Sequence, residues 1–124
     1  MQELNALTER IIGLAIKVHK ALGPGLLEST YETCLVYEYE KDGFYVERQK
    51  ALPVVYEGVT IDCGYRIDLR IDRKIILELK SIEKVLPIHE AQLLSYLKLS
   101  GCKVGLLINF NTKYLKDGIL RLVN

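Results

Sequence analysis

Three residues in the segment 65–80, YRIDLRIDRKIILELK, carry side chains that could do chemistry together: Asp68, Glu78 and Lys80. A hairpin turn centred on Arg73 would place Asp68 directly opposite Glu78, because both residues lie equally far from the turn. Opposed side chains of an antiparallel pair share a face, with Cβ atoms about 5 Å apart. Lys80 points to the same face because side chains alternate along a strand. The spacing therefore predicts two carboxylates and one amine on a single face of a hairpin.

Two carboxylates at this separation repel each other unless one is protonated or a cation lies between them. Mg²⁺ is commonly held by one or two carboxylates plus waters, so Asp68 and Glu78 would form half of its shell. The backbone carbonyl of Leu79 could supply another oxygen. A bound ion would lower the pKa of a water and neutralise charge on a phosphate, and Lys80 would orient that water or stabilise an anionic transition state. The pattern indicates metal-assisted hydrolysis.

Two alternatives remain open for these residues at the level of sequence. The acids could form solvated ion pairs with Arg66, Arg70 and Lys80 on an exposed sheet face, and such pairs contribute little to stability. A half-step slip of the turn would also move Asp68 to the other face and weaken the interpretation as a metal site.

The rest of the chain predicts an α/β domain with a mixed sheet, because helical periodicity alternates with period-two segments. Its length of 124 residues and hydrophobic content of 49% suit one domain spanning 1–124. The buried strand near the end of the chain would be reached by a helical crossover. The predicted helices are about 4–22, 26–41 and 88–100, and the predicted strands are 44–56 (broken near Pro53), 59–71, 75–81 and 104–110, with an edge strand in the tail.

The third predicted helix places His89, Gln92 and Tyr96 on one stripe, at spacings of three and four residues. Beside a strand that carries Glu78, this stripe could hydrogen-bond a water or a substrate phosphate. The alternative is that the stripe simply faces solvent.

Two further polar positions lie on the first two helices. Glu28 stands one turn before Tyr31 near the start of the second helix, where an acid is ordinarily explained by the helix dipole. The functional alternative makes Glu28 a third carboxylate of the metal site. His19, near the end of the first helix, either belongs to the same neighbourhood or interacts favourably with the helix C-terminus.

The segment GLLESTY at 25–31 resembles the signature of the small GxxExxY proteins, with matches at Gly25, Glu28 and Tyr31. The segments VHKALGPG, YRIDLRIDRKIILELKSIEK and HEAQLLSYLKLSGCKVGLLINFN are similar to that family as well, so the resemblance covers nearly the whole chain. The family is placed in the PD-(D/E)XK nuclease-like superfamily. The resemblance implies a restriction-endonuclease-like αβββαβ core with a mixed sheet and an extra N-terminal helix. One departure is Ile67, which stands where the superfamily name has proline.

The resemblance also implies roles for individual residues. Asp68 would be the motif aspartate, Glu78 and Lys80 the ExK pair, Glu28 the helix acid and Gln92 the polar residue of the following helix. The expected function is a Mg²⁺- or Mn²⁺-dependent nuclease in which Glu28, Asp68 and Glu78 hold the metal. The remaining expected contributors are supporting residues (His19, Tyr31, His89 and Tyr96) and basic residues that guide DNA or RNA (Arg66, Arg70, Lys74 and Lys84).

Other classes of function stay open. The net charge of +1 neither indicates nor excludes a nucleic-acid partner. The main alternative is a catalytically silent module with a nuclease fold that binds nucleic acid or a protein. A homodimer is a further alternative, with a face formed by Tyr37, Tyr39, Phe44 and Tyr45.

The compartment is predicted from the cysteines and from the apolar segments. Cys34, Cys63 and Cys102 are widely spaced and odd in number, which argues against a disulfide framework or a structural zinc site. The first residues lack the pattern of a signal peptide, and no apolar run is long enough to span a bilayer. These features favour a cytoplasmic protein with no membrane partner.

Overall fold

The computed structural model describes residues 1–124, which form three α-helices, seven strands and one short 3-10 helix, Leu115–Gly118. The helices are α1 (Gln2–Leu22), α2 (Glu28–Lys41) and α3 (Pro87–Ser100), and the strands are β1 (Val46–Ala51), β2 (Val54–Tyr56), β3 (Val59–Ile61), β4 (Arg66–Ile71), β5 (Ile75–Lys80), β6 (Val104–Asn109) and β7 (Ile119–Val123). None of the helices combines the length and the apolar character needed to cross a membrane.

Five of the strands form one mixed sheet in the order β1-β4-β5-β6-β7. Only the β5–β6 pair is parallel, and α3 connects these two strands. A crossover of this kind is required because parallel neighbours cannot be joined by a tight turn. The predicted fold class is therefore confirmed: an α/β domain with a mixed sheet and an additional N-terminal helix, consistent with a restriction-endonuclease-like fold.

The sheet is covered on both faces. Helices α1 and α2 pack on one face, where Ile11 and Leu35 join strand residues such as Leu77 and Leu106 in the larger hydrophobic cluster. Helix α3 covers part of the other face, where Leu93 belongs to a smaller cluster. Strand β5 lies between β4 and β6, and its residues from Ile75 to Leu79 are all buried. A charged residue in this strand is thus enclosed by protein.

The predicted strand over 59–71 is interrupted in the structure. Residues 62–65 separate β3 from β4, and Gly64 adopts a φ of 81° with its amide donating to the Asp62 carboxylate. Strand β3 pairs instead with β2, across a two-residue turn at Glu57 and Gly58 in which both residues have positive φ. The second hairpin, formed by β2 and β3, is separate from the main sheet, and most of its residues are exposed.

The structure does not support the predicted aromatic face for a homodimer. Tyr39 and Phe44 are buried in the larger hydrophobic cluster, where the Tyr39 hydroxyl donates to the Ile11 carbonyl oxygen. Only Tyr37 and Tyr45 of the predicted set are exposed. The prediction was wrong because the helical stripe that carries Tyr39 points toward the sheet.

Candidate active site

The two acids lie on adjacent antiparallel strands. The register of β4 and β5 pairs Leu69 with Leu77 and Ile71 with Ile75. Continuing this register by one residue places Asp68 opposite Glu78, as a turn centred on Arg73 predicts. The half-step slip considered above is therefore wrong.

Each acid accepts a hydrogen bond from the backbone of the opposing strand. The Asp68 amide donates to Glu78 Oε1 over 3.3 Å, and the Leu79 amide donates to Asp68 Oδ2 over 2.9 Å. The regular pairing of β4 with β5 ends at Leu69 and Leu77, immediately before this point. Carboxylates thus replace backbone carbonyls as acceptors where the two strands separate, which fixes both acids against the scaffold.

Asp68 also marks a change of face along β4. Leu69 and Ile71 pack in the cluster beneath α1 and α2, whereas Ile67 packs in the cluster beneath α3. Strict alternation along a regular strand would have placed Ile67 with Leu69, so β4 is irregular at Asp68. The irregularity extends to β1, because Gln49 has a φ of 46° and leaves the pairing with β4 at this level.

Gln49 connects the site to a buried acid that the sequence did not single out. Its Nε2 atom donates to Glu32 Oε1 over 2.7 Å and to Asp68 Oδ1 over 3.2 Å. Glu32 is buried on α2 and also accepts from Arg48 over 3.2 Å. One signal was available in the sequence: Glu32 follows Glu28 by four residues and shares its helix face.

The electrostatics of the pair are unfavourable without a cation. The pKa of Glu78 is raised from 4.5 to about 8. Burial of the side chain is the larger cause, and the negative charge of Asp68 is the second. Glu78 is only 5% exposed. Neither Asp68 nor Glu78 forms an ion pair with a lysine, arginine or histidine. The interpretation as solvated ion pairs is therefore wrong for Glu78.

These residues fit a divalent cation. Two adjacent carboxylates that form no ion pair are the kind of oxygen donor set that Mg²⁺ or Mn²⁺ takes together with waters. The structure does not, however, bring three or more Asp, Glu, His or Cys side chains together as one ligand group.

Lys80 is the last residue of β5 and is half-buried. It lies two residues after Glu78 and thus on the same face, and its positive charge partly opposes the rise in the pKa of Glu78. Its backbone carbonyl accepts from the Phe110 amide over 2.8 Å, which ties this end of β5 to the end of β6. The amine forms no ion pair and remains available to a ligand.

Glu28 lies at the first position of α2 and contacts the residue that follows Lys80. Its Oε2 atom accepts from the Ser81 amide over 3.1 Å, while the Ser81 hydroxyl donates to the Leu26 carbonyl over 2.6 Å. Glu28 is exposed and does not join Asp68 and Glu78 in one ligand group. In this structure it therefore fixes the end of β5.

Tyr31 holds the loop that precedes α2. Its hydroxyl donates to the Gly23 carbonyl over 2.5 Å and accepts from the Leu26 amide over 3.2 Å. Its ring is fully buried and stacks on Phe110, with centroids 4.2 Å apart. Tyr31 thus acts on the site indirectly, because the loop that it holds also contacts Ser81.

The polar stripe of α3 faces the sheet. Tyr96 is buried, and Gln92 and His89 are half-buried. Burial raises the pKa of Tyr96, and the negative charge of Glu78 adds to this effect. His89 caps its own helix, because its Nδ1 atom accepts from the Leu86 amide over 2.9 Å. The structure thus brings the stripe to the same side of the sheet as Glu78.

His19 has a structural contact away from the acids. It is buried at the end of α1, where its Nε2 atom lies 2.8 Å from the Thr112 carbonyl oxygen and its ring approaches Phe110. The structure gives it no contact with Asp68 or Glu78.

The four basic residues expected to guide nucleic acid differ in their availability. Arg70 donates to Glu47 over 2.7 Å, and Lys74 pairs with Glu3 near the turn of the hairpin, away from the acids. Arg66 is exposed, donates to the carbonyl oxygen of Tyr65 over 2.9 Å and lies 3.9 Å from the Asp62 carboxylate. Lys84 is exposed in the loop before α3. Arg66 and Lys84 are thus the members of this set free to meet a phosphate.

Comparisons with known proteins agree with this geometry at the level of the superfamily. No curated protein and no solved structure was found to match the chain. The family model described as the PD-(D/E)XK nuclease superfamily matches residues 5–122. The chain therefore belongs to the PD-(D/E)XK nuclease superfamily.

Proposed function

We propose that this protein is a Mg²⁺- or Mn²⁺-dependent nuclease that hydrolyses phosphodiester bonds of DNA or RNA. The observation that carries the proposal is the buried Glu78 beside the half-buried Asp68, two acids that form no ion pair and are followed by the unpaired amine of Lys80. A protein that only binds a partner gains nothing from burying one acid beside another, since desolvation and repulsion cost stability.

Asp68 and Glu78 would hold the cation, with Glu28 as a further carboxylate near the end of β5. When bound, the ion would lower the pKa of a water and neutralise charge on the phosphate. Lys80 would orient the attacking water or donate to a phosphate oxygen. Gln92 would support it from α3, and its half-buried position on the helix face toward the sheet is consistent with this role.

We also propose that the chain is one of the GxxExxY proteins. The motif has a clear structural purpose here: Gly25 has a φ of 92°, Glu28 binds the Ser81 amide, and Tyr31 binds the loop between α1 and α2. Glu28 contacts Ser81 directly, and Tyr31 holds Leu26, whose carbonyl oxygen accepts from the Ser81 hydroxyl.

A second candidate function is a catalytically silent module that binds nucleic acid. One observation favours it: Glu28 is engaged with Ser81, and no set of three metal-binding side chains is assembled. In this alternative Arg66 and Lys84 would contact phosphates without hydrolysis.

A cleavage assay separates the two candidates. Single-stranded DNA, double-stranded DNA and RNA would be incubated with Mn²⁺ or Mg²⁺ and wild type, Glu78→Gln or Lys80→Ala. A nuclease should lose more than about a hundredfold of its rate in both variants, the scale for removing one group that stabilises a transition state.

Matched controls are available close by. Glu83→Gln and Lys84→Ala alter exposed residues in the loop after β5 and should keep hydrolysis, although Lys84→Ala should weaken binding. Cleavage that persists in both Glu78→Gln and Lys80→Ala would refute the proposed site. Binding by wild type without any cleavage would support the silent module.

A further inference from the structure

A pocket opens on the same side of the sheet as Glu78 and Lys80. It has a volume of about 460 Å³ and lies between α3 and the segment that includes β2 and the start of β4. Tyr96 is one of its lining residues and belongs with Ile76 to the smaller hydrophobic cluster. Ile76, Glu78 and Lys80 alternate along β5 and share one face. The pocket therefore lies on the same face of the sheet as Glu78, whose negative charge contributes to the raised pKa of Tyr96.

Aromatic and apolar surfaces dominate this pocket. The rings of Tyr65 and Tyr96 meet edge to face, with centroids 6.0 Å apart and planes inclined by 61°. Tyr65 remains 44% exposed, so part of its ring is open to a ligand. Val54 and Ile88 add apolar walls. A flat aromatic ligand can stack on such a surface.

The polar groups of the pocket are neutral amide, hydroxyl and imidazole groups. Gln92 offers two donors and one acceptor, and its amide is not used by any side-chain hydrogen bond of the chain. Ser95 and His89 lie on the same helix, and no lysine, arginine or acid lines the pocket. The lining therefore suits a neutral ring with hydrogen-bonding edges, and it suits a phosphate poorly.

We infer that this pocket receives one unstacked nucleobase of a single-stranded segment whose backbone lies at Asp68 and Glu78. The inference rests on the proposed nuclease function and specifies its substrate class. Bases within a duplex are stacked and paired, so only a splayed base can present its face to Tyr65 and its edge to Gln92. Arg66 directly follows Tyr65 and is exposed, so a phosphate adjoining the bound base would have a cation nearby.

The test measures binding in EDTA at low salt, where no metal-dependent cleavage occurs. Fluorescence anisotropy would follow a labelled oligothymidylate, an abasic strand with the same number of phosphates, and a blunt duplex. Tyr65→Ala should weaken oligothymidylate binding by about fivefold to a hundredfold, the range that base–aromatic stacking supplies. Tyr65→Phe should retain binding, and the abasic strand should bind wild type and Tyr65→Ala equally.

Tyr37→Ala is the matched control, because Tyr37 is an exposed tyrosine on α2, on the opposite side of the sheet. It should leave all three affinities unchanged. Equal losses on oligothymidylate and on the abasic strand would overturn the inference, as would tighter binding of the blunt duplex than of the single strand. An apolar peptide that competes for the pocket while oligothymidylate does not would also overturn it.

The outcome is separable from that of the nuclease proposal. Binding that depends on Tyr65 in a protein that never cleaves would support the base pocket and remove the nuclease. Cleavage of single strands that Tyr65→Ala leaves unchanged would keep the nuclease and remove the base pocket.

Discussion

Replacing Glu78 by glutamine should make the protein more resistant to unfolding at high pH than wild type. Glu78→Gln keeps the side-chain volume and an oxygen acceptor for the Asp68 amide, but it cannot ionise. In wild type the pKa of Glu78 is about 8 in the folded state, against an ordinary value of 4.5. Between these two values the folded protein binds one more proton than the unfolded chain, so the free energy of unfolding falls as the pH rises.

The magnitude follows from the size of the displacement. One pKa unit corresponds to about 1.4 kcal/mol, so a rise from 4.5 to about 8 is worth at most about 5 kcal/mol. Glu78→Gln carries no such dependence. The difference in unfolding free energy between variant and wild type should therefore be constant below about pH 4, grow through neutral pH, and level off above about pH 9.

Urea denaturation followed by circular dichroism in EDTA measures this difference at each pH. Subtracting the unfolding free energy of wild type from that of the variant at each pH cancels the titration of all groups that the substitution leaves unaffected. Glu83→Gln is the control, since it removes an exposed carboxylate close to the site. Adding Mg²⁺ at high pH should stabilise wild type and leave Glu78→Gln nearly unchanged, because a bound cation favours the ionised pair.

A pH-independent difference between Glu78→Gln and wild type would refute the electrostatic account of the pair. The same conclusion would follow if the difference had the opposite slope. The first result would mean that Glu78 ionises in the folded protein as readily as in the unfolded chain, and the second that it ionises more readily.

Three further substitutions test the scaffold. Gln49→Ala removes the amide that bridges Glu32 and Asp68. It should lower the free energy of unfolding by about 1 kcal/mol, the usual contribution of a hydrogen bond. An unchanged urea midpoint would show that the bridge contributes nothing to stability. Gly105→Ala should destabilise the protein by about 1–3 kcal/mol in thermal unfolding, because the added Cβ would lie 2.9 Å from a side chain of α3. Gly13 lies at an exposed helical position, with no atom within 4 Å of an added Cβ. Gly13→Ala should therefore stabilise the protein by up to about 1 kcal/mol. Changes of the same sign in both glycine variants would contradict the packing described here.

The hairpin and its register could be predicted because the relevant information is local. Apolar residues alternate on either side of the Asp72-Arg73-Lys74 turn, and a period of two leaves few ways to pair the strands. The turn residues Asp72 and Arg73 adopt positive φ values of 51° and 57°, a conformation that matches the twist of a tight hairpin. The opposition of Asp68 and Glu78 follows from these facts alone.

The connection from Gln49 to Glu32 and Asp68 could not be predicted in the same way. It joins three separate elements, α2, β1 and β4, and it depends on a break in strand alternation at Gln49 and Asp68. Pattern arguments assume regular strands, so they assign side chains near such a break to the wrong face. The placement of Ile67 shows the same error.

The orientation of α3 was only partly predictable. Its sequence has apolar residues around most of its circumference, so periodicity does not select one buried face. The structure buries Leu93, Tyr96 and Leu97 and leaves Ile88 and Leu94 exposed. This choice is set by packing against β6 and β7, and it is also what brings Gln92 toward the sheet.

The central claim is that Asp68 and Glu78 together hold one divalent cation. The most direct measurement is calorimetric titration of Mn²⁺ into wild type and into Asp68→Asn, a change that preserves shape and removes one charge. We expect saturable binding of one ion by wild type and none by Asp68→Asn. Equal binding by both proteins would contradict it.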